Sequence, residues 1–538
     1  MPELDATDLT IAIPTRDRFP ILERTLGALK RQTVSGFEVI VVVDGTDQNP
    51  PHIPARVIVS EHRGPGAARN IAAHASARKL ILFLGDDMVP EPQLVARHLE
   101  QHKRQPEPEV AVLGHVDWHP DTGPNRIQRW MDWSGTQFDY AHIAGEDAGW
   151  GRFYSSNVSL KRDFFLSVGG FDEEFFFLYE DTDLGWRLHD QGLRLFYEPE
   201  AKALHLHGYA WRDVVRRFQQ IALSEHTMAS KHPWFQPFFL ERVRKAATRR
   251  RAPRLWPHLV DLVPARTPRL RGLAENRANT RYYQQLAEPY LSAWAGARDL
   301  AELKEYLGAD YDQARLIDHL HEIERERQAA RDEPTFYRTS HAYLYDLTVF
   351  AMSPTKVPYL ADLRRLVPPG ARLLDWGCGI GTDGMRLMEA GYRVGFVDFD
   401  NPSTRFLRWK LARRGLAADV YDLDRDEIPG GFDAAYAFDV LEHVDDPFAT
   451  LAELESRAAL VVVNLLEPGP QDTHLHRPLP IPALLDRAAA RGIIRYRLYH
   501  GRSHLVAYRG SGPPLGRIAR LRSSAERALG AVVRSRRR

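Results

Sequence analysis

Leu80-Ile81-Leu82-Phe83-Leu84-Gly85-Asp86-Asp87 and, far downstream, Asp375-Trp376-Gly377-Cys378-Gly379-Ile380-Gly381 decide the fold of this 538-residue chain. The first is an apolar run that stops on paired acids. The second is the end of an apolar run that stops on spaced glycines. Short apolar runs without polar alternation are the pattern of strands buried on both faces of a parallel sheet. In such sheets the residues just past a strand's carboxyl end face the ligand crevice. Two such stretches, each with its own neighbours, predict two α/β domains.

Around the first stretch, similar runs occur at 9–14, 38–43, 57–59 and 110–113, with helical spacing over 21–30. The alternation predicts a parallel α/β sheet. Residues 125–210 are less regular and aromatic (Trp130, Trp133, Phe175-Phe176-Phe177) and read as the second half of the same domain. From 211 to 333 the pattern is helical. Around the second stretch, strands are expected at 372–375, 393–398, 434–438 and 460–465, with helices between them. The expected division is 1–240, a helical basic connector 241–334, a second α/β domain 335–509, and a basic C-terminal helix or tail 510–538.

Length supports this division, because one hydrophobic core seldom serves more than about 250–300 residues. A hydrophobic fraction of 44%, a charged fraction of 27% and a net charge of +1 are those of an ordinary globular protein, with no global pull toward nucleic acid. The charge is uneven. Segment 241–272 holds ten Lys/Arg against Glu241 and Asp261, and 510–538 holds eight Arg against Glu526. The single cysteine, Cys378, excludes an intrachain disulfide and fits a reducing compartment. The acidic start Met1-Pro2-Glu3-Leu4-Asp5 does not resemble a secretory signal, and no run reaches the ~18 apolar residues of a membrane span. A cytoplasmic protein is expected.

The acids of the first domain suit the breaking of a bond to a nucleoside diphosphate. Charge grows on the departing diphosphate, and a divalent metal on carboxylates neutralises it. A further carboxylate deprotonates the incoming hydroxyl. Asp86 and Asp87 stand at one strand end and Asp44 at another. Glu180-Asp181 opens a helical stretch behind an apolar run, where desolvation raises basicity. His205 and His207 follow a strand-like 194–197 and are candidates to complete a metal shell. Bland readings compete: Asp-Asp at a strand end is often a turn or cap, and a lone His is often structural.

Taken together, Ile13-Pro14-Thr15-Arg16-Asp17-Arg18, Val43-Asp44-Gly45, Gly64-Pro65-Gly66-Ala67-Ala68-Arg69-Asn70, Gly85-Asp86-Asp87, Ser156-Asn157-Val158-Ser159-Leu160, Gly169-Gly170-Phe171-Asp172 and Glu180-Asp181 resemble the inverting GT-A glycosyltransferases of family two over about 8–235. The resemblance implies Pro14, Thr15, Asp17, Asp44, Arg69 and Asp86 at a nucleotide-sugar. It implies Asp87, with His205 as a candidate, at Mg or Mn, and Asp181, with Glu180 beside it, as catalytic base. Gly85 departs from the family, which often has a third acid there. Asn157 stays open between a substrate contact and a local turn.

In the second domain Gly377, Gly379 and Gly381 allow close backbone approach to a ligand, and Asp398, 23 positions after Asp375, suits ribose hydroxyls. Gly379-Ile380-Gly381-Thr382-Asp383-Gly384 also fits the dinucleotide fingerprint, a weak signal alone. Asp419-Val420 is placed where a third strand should end, near an adenine amine. Ala437-Phe438-Asp439-Val440-Leu441-Glu442-His443-Val444 follows the fourth. The set resembles class I S-adenosylmethionine-dependent methyltransferases with a Rossmann-like fold, particularly O-methyltransferases of the ubiquinone type, over about 336–508. It implies a donor site of Asp375, Gly377, Cys378, Gly379, Gly381, Asp398, Asp419, Val420 and Phe438. His443 and His476, in His474-Leu475-His476-Arg477-Pro478, are candidate proton acceptors from a hydroxyl. Each is equally readable as structural.

The basic segments lack a nucleic-acid-binding motif, so no nucleic-acid partner is expected. Trp234, Phe235, Phe238, Phe239 and Trp256 flank the first, as in interfacial helices, so peripheral contact with the inner face of a membrane is the expectation. The two halves together predict a bifunctional enzyme that glycosylates a glycan or lipid-linked acceptor and methylates a hydroxyl. The rival keeps the glycosyltransferase and treats the second domain as a regulatory or scaffold module.

Overall fold

The structure is a computed structural model that describes residues 4–45, 53–175, 178–253, 255–264, 266–467, 469 and 475–511. Almost all of the basic tail, together with Phe176-Phe177 and His474, lies outside the described residues. The chain forms two compact units, Met1–Trp294 and Ala295–Arg538. The predicted helical stretch is divided between them. In the first unit Phe218, Tyr282 and Tyr290 share one core with Trp118 and Trp130. In the second, Leu303 packs with Tyr345, Ile380 and Phe406.

Among the described residues of the first unit, strands β1 (Leu9–Thr15), β2 (Glu38–Asp44), β3 (Arg56–Ser60), β4 (Leu80–Leu84), β5 (Met88–Pro90), β6 (Val110–Trp118), β7 (Asn157–Lys161) and β8 (Arg194–His205) form one sheet in the order β3-β2-β1-β4-β7-β6-β8-β5. From β3 to β4 it is parallel, as the apolar runs predict. Beyond β4 the all-parallel expectation fails. Strand β7 runs antiparallel to both β4 and β6, and β5 antiparallel to β8. Apolar composition reports burial and carries no information on strand direction, which the irregular 125–156 connection reverses. Strand β8 also extends well past the predicted 194–197 and ends on His205 itself. Glu198-Pro199-Glu200 hides the continuation, where the β6–β8 register shifts between Gly114 and His115.

The second unit carries β9 (Arg372–Trp376), β10 (Arg393–Asp398), β11 (Val420–Asp422), β12 (Phe432–Ala437), β13 (Ala458–Leu466), β14 (Ile493–Tyr499) and β15 (Ser503–Arg509) in the order β11-β10-β9-β12-β13-β15-β14. All joins are parallel except those made by β15. The expected third strand lies elsewhere. Asp419 and Val420 stand at the start of β11, not its end, and Asp422 pairs in register with Asp398 at the carboxyl edge. The strand is short and half-buried, so it has no apolar run by which to place it.

In both sheets the order reverses beside the first strand of the unit: β1 lies between β2 and β4, and β9 between β10 and β12. A crevice opens at such reversals because the connections leave on opposite faces. Both glycine- and acid-bearing stretches therefore lie where a ligand would enter.

Candidate active sites

In the first unit, Ala12 pairs with Phe83, so the register brings Thr15 level with Asp86. Thr15 Oγ1 donates to Asp86 Oδ2 at 2.7 Å, and Thr25 Oγ1 donates to the Asp86 carbonyl at 2.7 Å. Asp87 Oδ2 faces His205 Nε2 at 3.3 Å, and the His205 ring is stacked on Trp118. Both acids are buried. The missed residue is Arg18. Its Nε reaches Asp86 Oδ2 at 3.2 Å, its Nη1 reaches Asp87 Oδ2 at 3.0 Å, and Nη2 pairs with Asp86 Oδ1. Burial, then the charge of Asp87, pushes Asp86 up to about 6. Burial opposes ionisation of Asp87 too, but His205 and Arg18 outweigh it and hold that carboxyl below its usual range.

Pro14, Thr15, Asp44, Arg69, Asp86 and Asp87 line one cavity of about 290 Å³, with Arg16, Arg18, His62 and Ser156. Asp17 is not in this lining; it adopts φ 53° beside Arg16. Asp44 accepts from the backbone N–H of Arg63 (2.7 Å) and Gly64 (3.0 Å) and meets His62 Nδ1 at 2.9 Å. These bonds outweigh burial and lower its pKa, so it holds the turn that starts the helix Pro65–Ala75. Asn157 is a core residue. Its Nδ2 donates to the carbonyls of Ala201 (2.8 Å) and His115 (3.2 Å), and its Oδ1 faces His98 Nε2 at 3.0 Å.

Glu180 and Asp181 open the helix Glu180–Asp190, after Tyr179 at φ 73°. A bulky residue in the left-handed region costs energy and persists where surrounding packing fixes it. Glu180 Oε1 accepts from Arg69 Nη1 at 3.0 Å, and both residues are buried. Burial and the charge of Asp181 nevertheless push Glu180 up to about 7. Asp181 accepts from the N–H of Thr182 (2.9 Å) and Ser155 (3.4 Å), and burial raises it as well. Arg69 thus joins the cavity on one side to the acidic pair on the other.

In the second unit Gly377, Gly379 and Gly381 all take positive φ (70°, 53° and 71°). A Cβ on Gly377 would lie 2.7 Å from Val440, on the segment that follows β12. Asp398 accepts from the N–H of Gly379 (2.8 Å) and Phe399 (2.8 Å), which fixes the turn, and burial pushes it up to about 6. Burial and Asp383 push Asp375 up to about 7. A hydrogen bond from the Tyr436 side chain works against that rise. Asp439, at φ 55°, exchanges two bonds with Asn464, from its N–H at 2.7 Å and to its Oδ1 at 2.6 Å. Phe438 is buried against Tyr359 and Tyr436, and burial raises the Cys378 thiol.

A bound S-adenosylmethionine fits this arrangement. The three glycines, all at positive φ, leave the turn's backbone without side chains, as close approach of a donor needs, and Asp375 and Asp398 stand at the carboxyl ends of β9 and β10 beside it. The paired Asp87 and His205 likewise offer oxygen and nitrogen donors of the kind divalent cations take. His443 and His476, distant in sequence, come together with ring centroids 4.8 Å apart. Burial first, then His476, pulls His443 down to about 3, so its imidazole is neutral at physiological pH. Tyr337 places its hydroxyl 3.0 Å from His443 Nδ1.

Residues 10–165 match the Glycosyl transferase family 2 model, and residues 374–459 match a methyltransferase domain model. The validoxylamine A glucosyltransferase of Streptomyces hygroscopicus subsp. jinggangensis is 30% identical over 231 residues, covering 36% of this chain and 54% of its own length. The ubiquinone biosynthesis O-methyltransferase of Xanthomonas campestris pv. campestris is 32% identical over 124 residues, 22% of this chain and 47% of its own length. The chain spans about half the length of the curated relatives it matches. Among solved structures, a mannosyltransferase from Pyrobaculum calidifontis in complex with GDP-Man and Mn2+ aligns over 56% of this chain and 80% of its own, at 16% identity and a TM-score of 0.32.

Proposed function

We propose, from the premise that this chain joins a family 2 glycosyltransferase domain to a methyltransferase domain, a bifunctional enzyme of glycan modification. Its first unit transfers a sugar with inversion from a nucleotide-sugar to a glycan or lipid-linked acceptor. Its second O-methylates a hydroxyl of the same glycan. The observation that carries this is the placing of each donor signature at the strand-order reversal of its own sheet.

In the first unit Thr15, Asp44, Arg69 and Asp86 hold the nucleotide-sugar. Asp87 and His205 would hold Mg or Mn, which neutralises the departing diphosphate. Arg18 lies on the same carboxylates, with its side chain 41% exposed. Of the two neighbouring acids Asp181 is the base, because Glu180 is tied to Arg69. In the second unit Asp375 and the glycine turn orient the donor and Asp398 takes the ribose. When bound, S-adenosylmethionine supplies an electrophilic methyl group, and positioning against the acceptor supplies much of the rate.

Of the five aromatics expected at a membrane face, Trp234 and Phe238 are exposed, whereas Phe239 is buried in the core with Trp256 packed against it; contact with a membrane-borne acceptor is supported by the first two together with exposed Leu255, Leu262 and Leu270. Arg242 lies over the Phe238 ring. Among the described residues no helix is long and apolar enough to cross a membrane.

The test is to supply the full chain with nucleotide-sugars, S-adenosylmethionine and lipid-linked glycan acceptors, and to read product mass. Addition of a sugar and then one methyl group supports the proposal. Sugar addition with no methylation on any glycan favours the scaffold reading of the second unit.

A further inference from the structure

Glu442 and His443 stand on the short turn Leu441–His443 that follows β12, and His476 comes from the segment after β13. One donor atom from each of the three lies within 4.8 Å of the other two. Donors at about 2.1 Å on a tetrahedral cation stand roughly 3.4 Å apart, so side-chain rotation has to draw the most distant of these atoms together by up to about 1.4 Å to close the set. The two segments are stitched together. The Arg477 N–H donates to the Glu442 carbonyl at 2.8 Å, Arg477 Nη2 donates to Glu333 Oε2 at 2.8 Å, and Nη1 pairs with Asp445. Tyr337 orients the His443 ring from behind, as outer partners orient metal-bound imidazoles. Glu442 is 1% exposed, so the set is unlike the acidic clusters common on protein surfaces.

The turn also borders the donor cradle, since Val440 is the residue that a Cβ on Gly377 would strike. We propose that Glu442, His443 and His476 form a second divalent-cation site, in the second unit, whose open positions take adjacent hydroxyl oxygens of the methyl acceptor. One carboxylate and two imidazoles select manganese, iron(II), cobalt or zinc over magnesium or calcium, which favour oxygen ligands. Three protein ligands leave coordination positions for substrate. A sugar bearing neighbouring hydroxyls is a natural bidentate occupant. The two histidines then act as ligands and not as bases. The acceptor role rests on the methyltransferase reading; the cation site does not.

The test uses the full chain, stripped of metal and titrated with Mn2+ or Zn2+ alone, with bound ion counted by equilibrium dialysis. Wild type and Asp87→Ala should each hold a cation that Glu442→Gln and His476→Ala lose, while calorimetric binding of S-adenosylmethionine persists in all four. Should the ligand variants fold poorly, the Co2+ absorption spectrum of Asp87→Ala combined with His205→Ala reads the site without touching it, and imidazole ligation is expected. Equal ion counts in wild type, Glu442→Gln and His476→Ala, or a spectrum of aquo-cobalt alone, overturn the site. A wild-type protein that holds this cation and binds no S-adenosylmethionine overturns the acceptor role.

Discussion

Arg69 and Glu180, 111 positions apart in sequence, form a buried ion pair at 3.0 Å that ties the lining of the first cavity to the helix carrying Asp181. Removing one partner of such a pair leaves an uncompensated buried charge, at a cost of about 3–5 kcal/mol. Above about pH 7, where Glu180 is ionised, Arg69→Ala should therefore lower the unfolding free energy by up to about that amount, and Arg69→Ala with Glu180→Gln should recover most of it. A double-mutant cycle by denaturant unfolding checks this. Additive losses would mean the pair is not coupled.

The same carboxyl sets a pH dependence. Glu180 is raised from 4.5 to about 7 in the folded protein, by burial and then by Asp181. The folded state therefore holds the proton more tightly than the unfolded state. Its contribution to stability is full below about pH 4.5 and is lost as pH rises through about 7. Glu180→Gln should flatten the fall in thermal midpoint across that window. An unchanged profile would place the titration elsewhere.

Arg18 compensates two adjacent acids without a metal. Arg18→Ala should destabilise the metal-free protein by about 1–3 kcal/mol, the lower part of the range for a buried pair because Arg18 reaches solvent. Mn2+ should restore more stability to this variant than to wild type. Equal shifts in the two proteins would separate Arg18 from the cation site.

How much of this was legible in the sequence follows from what each feature leaves in a local pattern. Strands β4 and β10 match their predicted bounds because burial on both faces writes an unbroken apolar run. Strand β11 left no such run, and Glu198-Pro199-Glu200 concealed the far half of β8. Asp86, Asp87, Asp44 and the glycines announced themselves by standing at strand ends. Arg18 stood in the same quoted stretch, yet its partners are 68 and 69 positions away. Only the register of β1 on β4 reveals that it faces them. The approach of His476 to His443 and Glu442 is likewise a product of tertiary folding, which no local pattern reports.

Asp181→Asn keeps the size of the side chain and removes its capacity to take a proton. Turnover in sugar transfer should fall by ~10²–10⁴-fold with donor affinity near wild type. Unchanged turnover would pass the role to another group, Glu180 first.

If one chain holds two independent donor sites, paired calorimetric titrations of the full chain will separate them. Wild type should bind both S-adenosylmethionine and a nucleoside diphosphate with Mn2+. Asp398→Ala, which removes an acceptor worth roughly 1.5–3 kcal/mol for each ribose hydroxyl bond, should weaken only the first. Asp87→Ala should weaken only the second. Loss of both ligands in either variant, or a wild-type protein that binds NAD in place of S-adenosylmethionine, would contradict two independent donor sites.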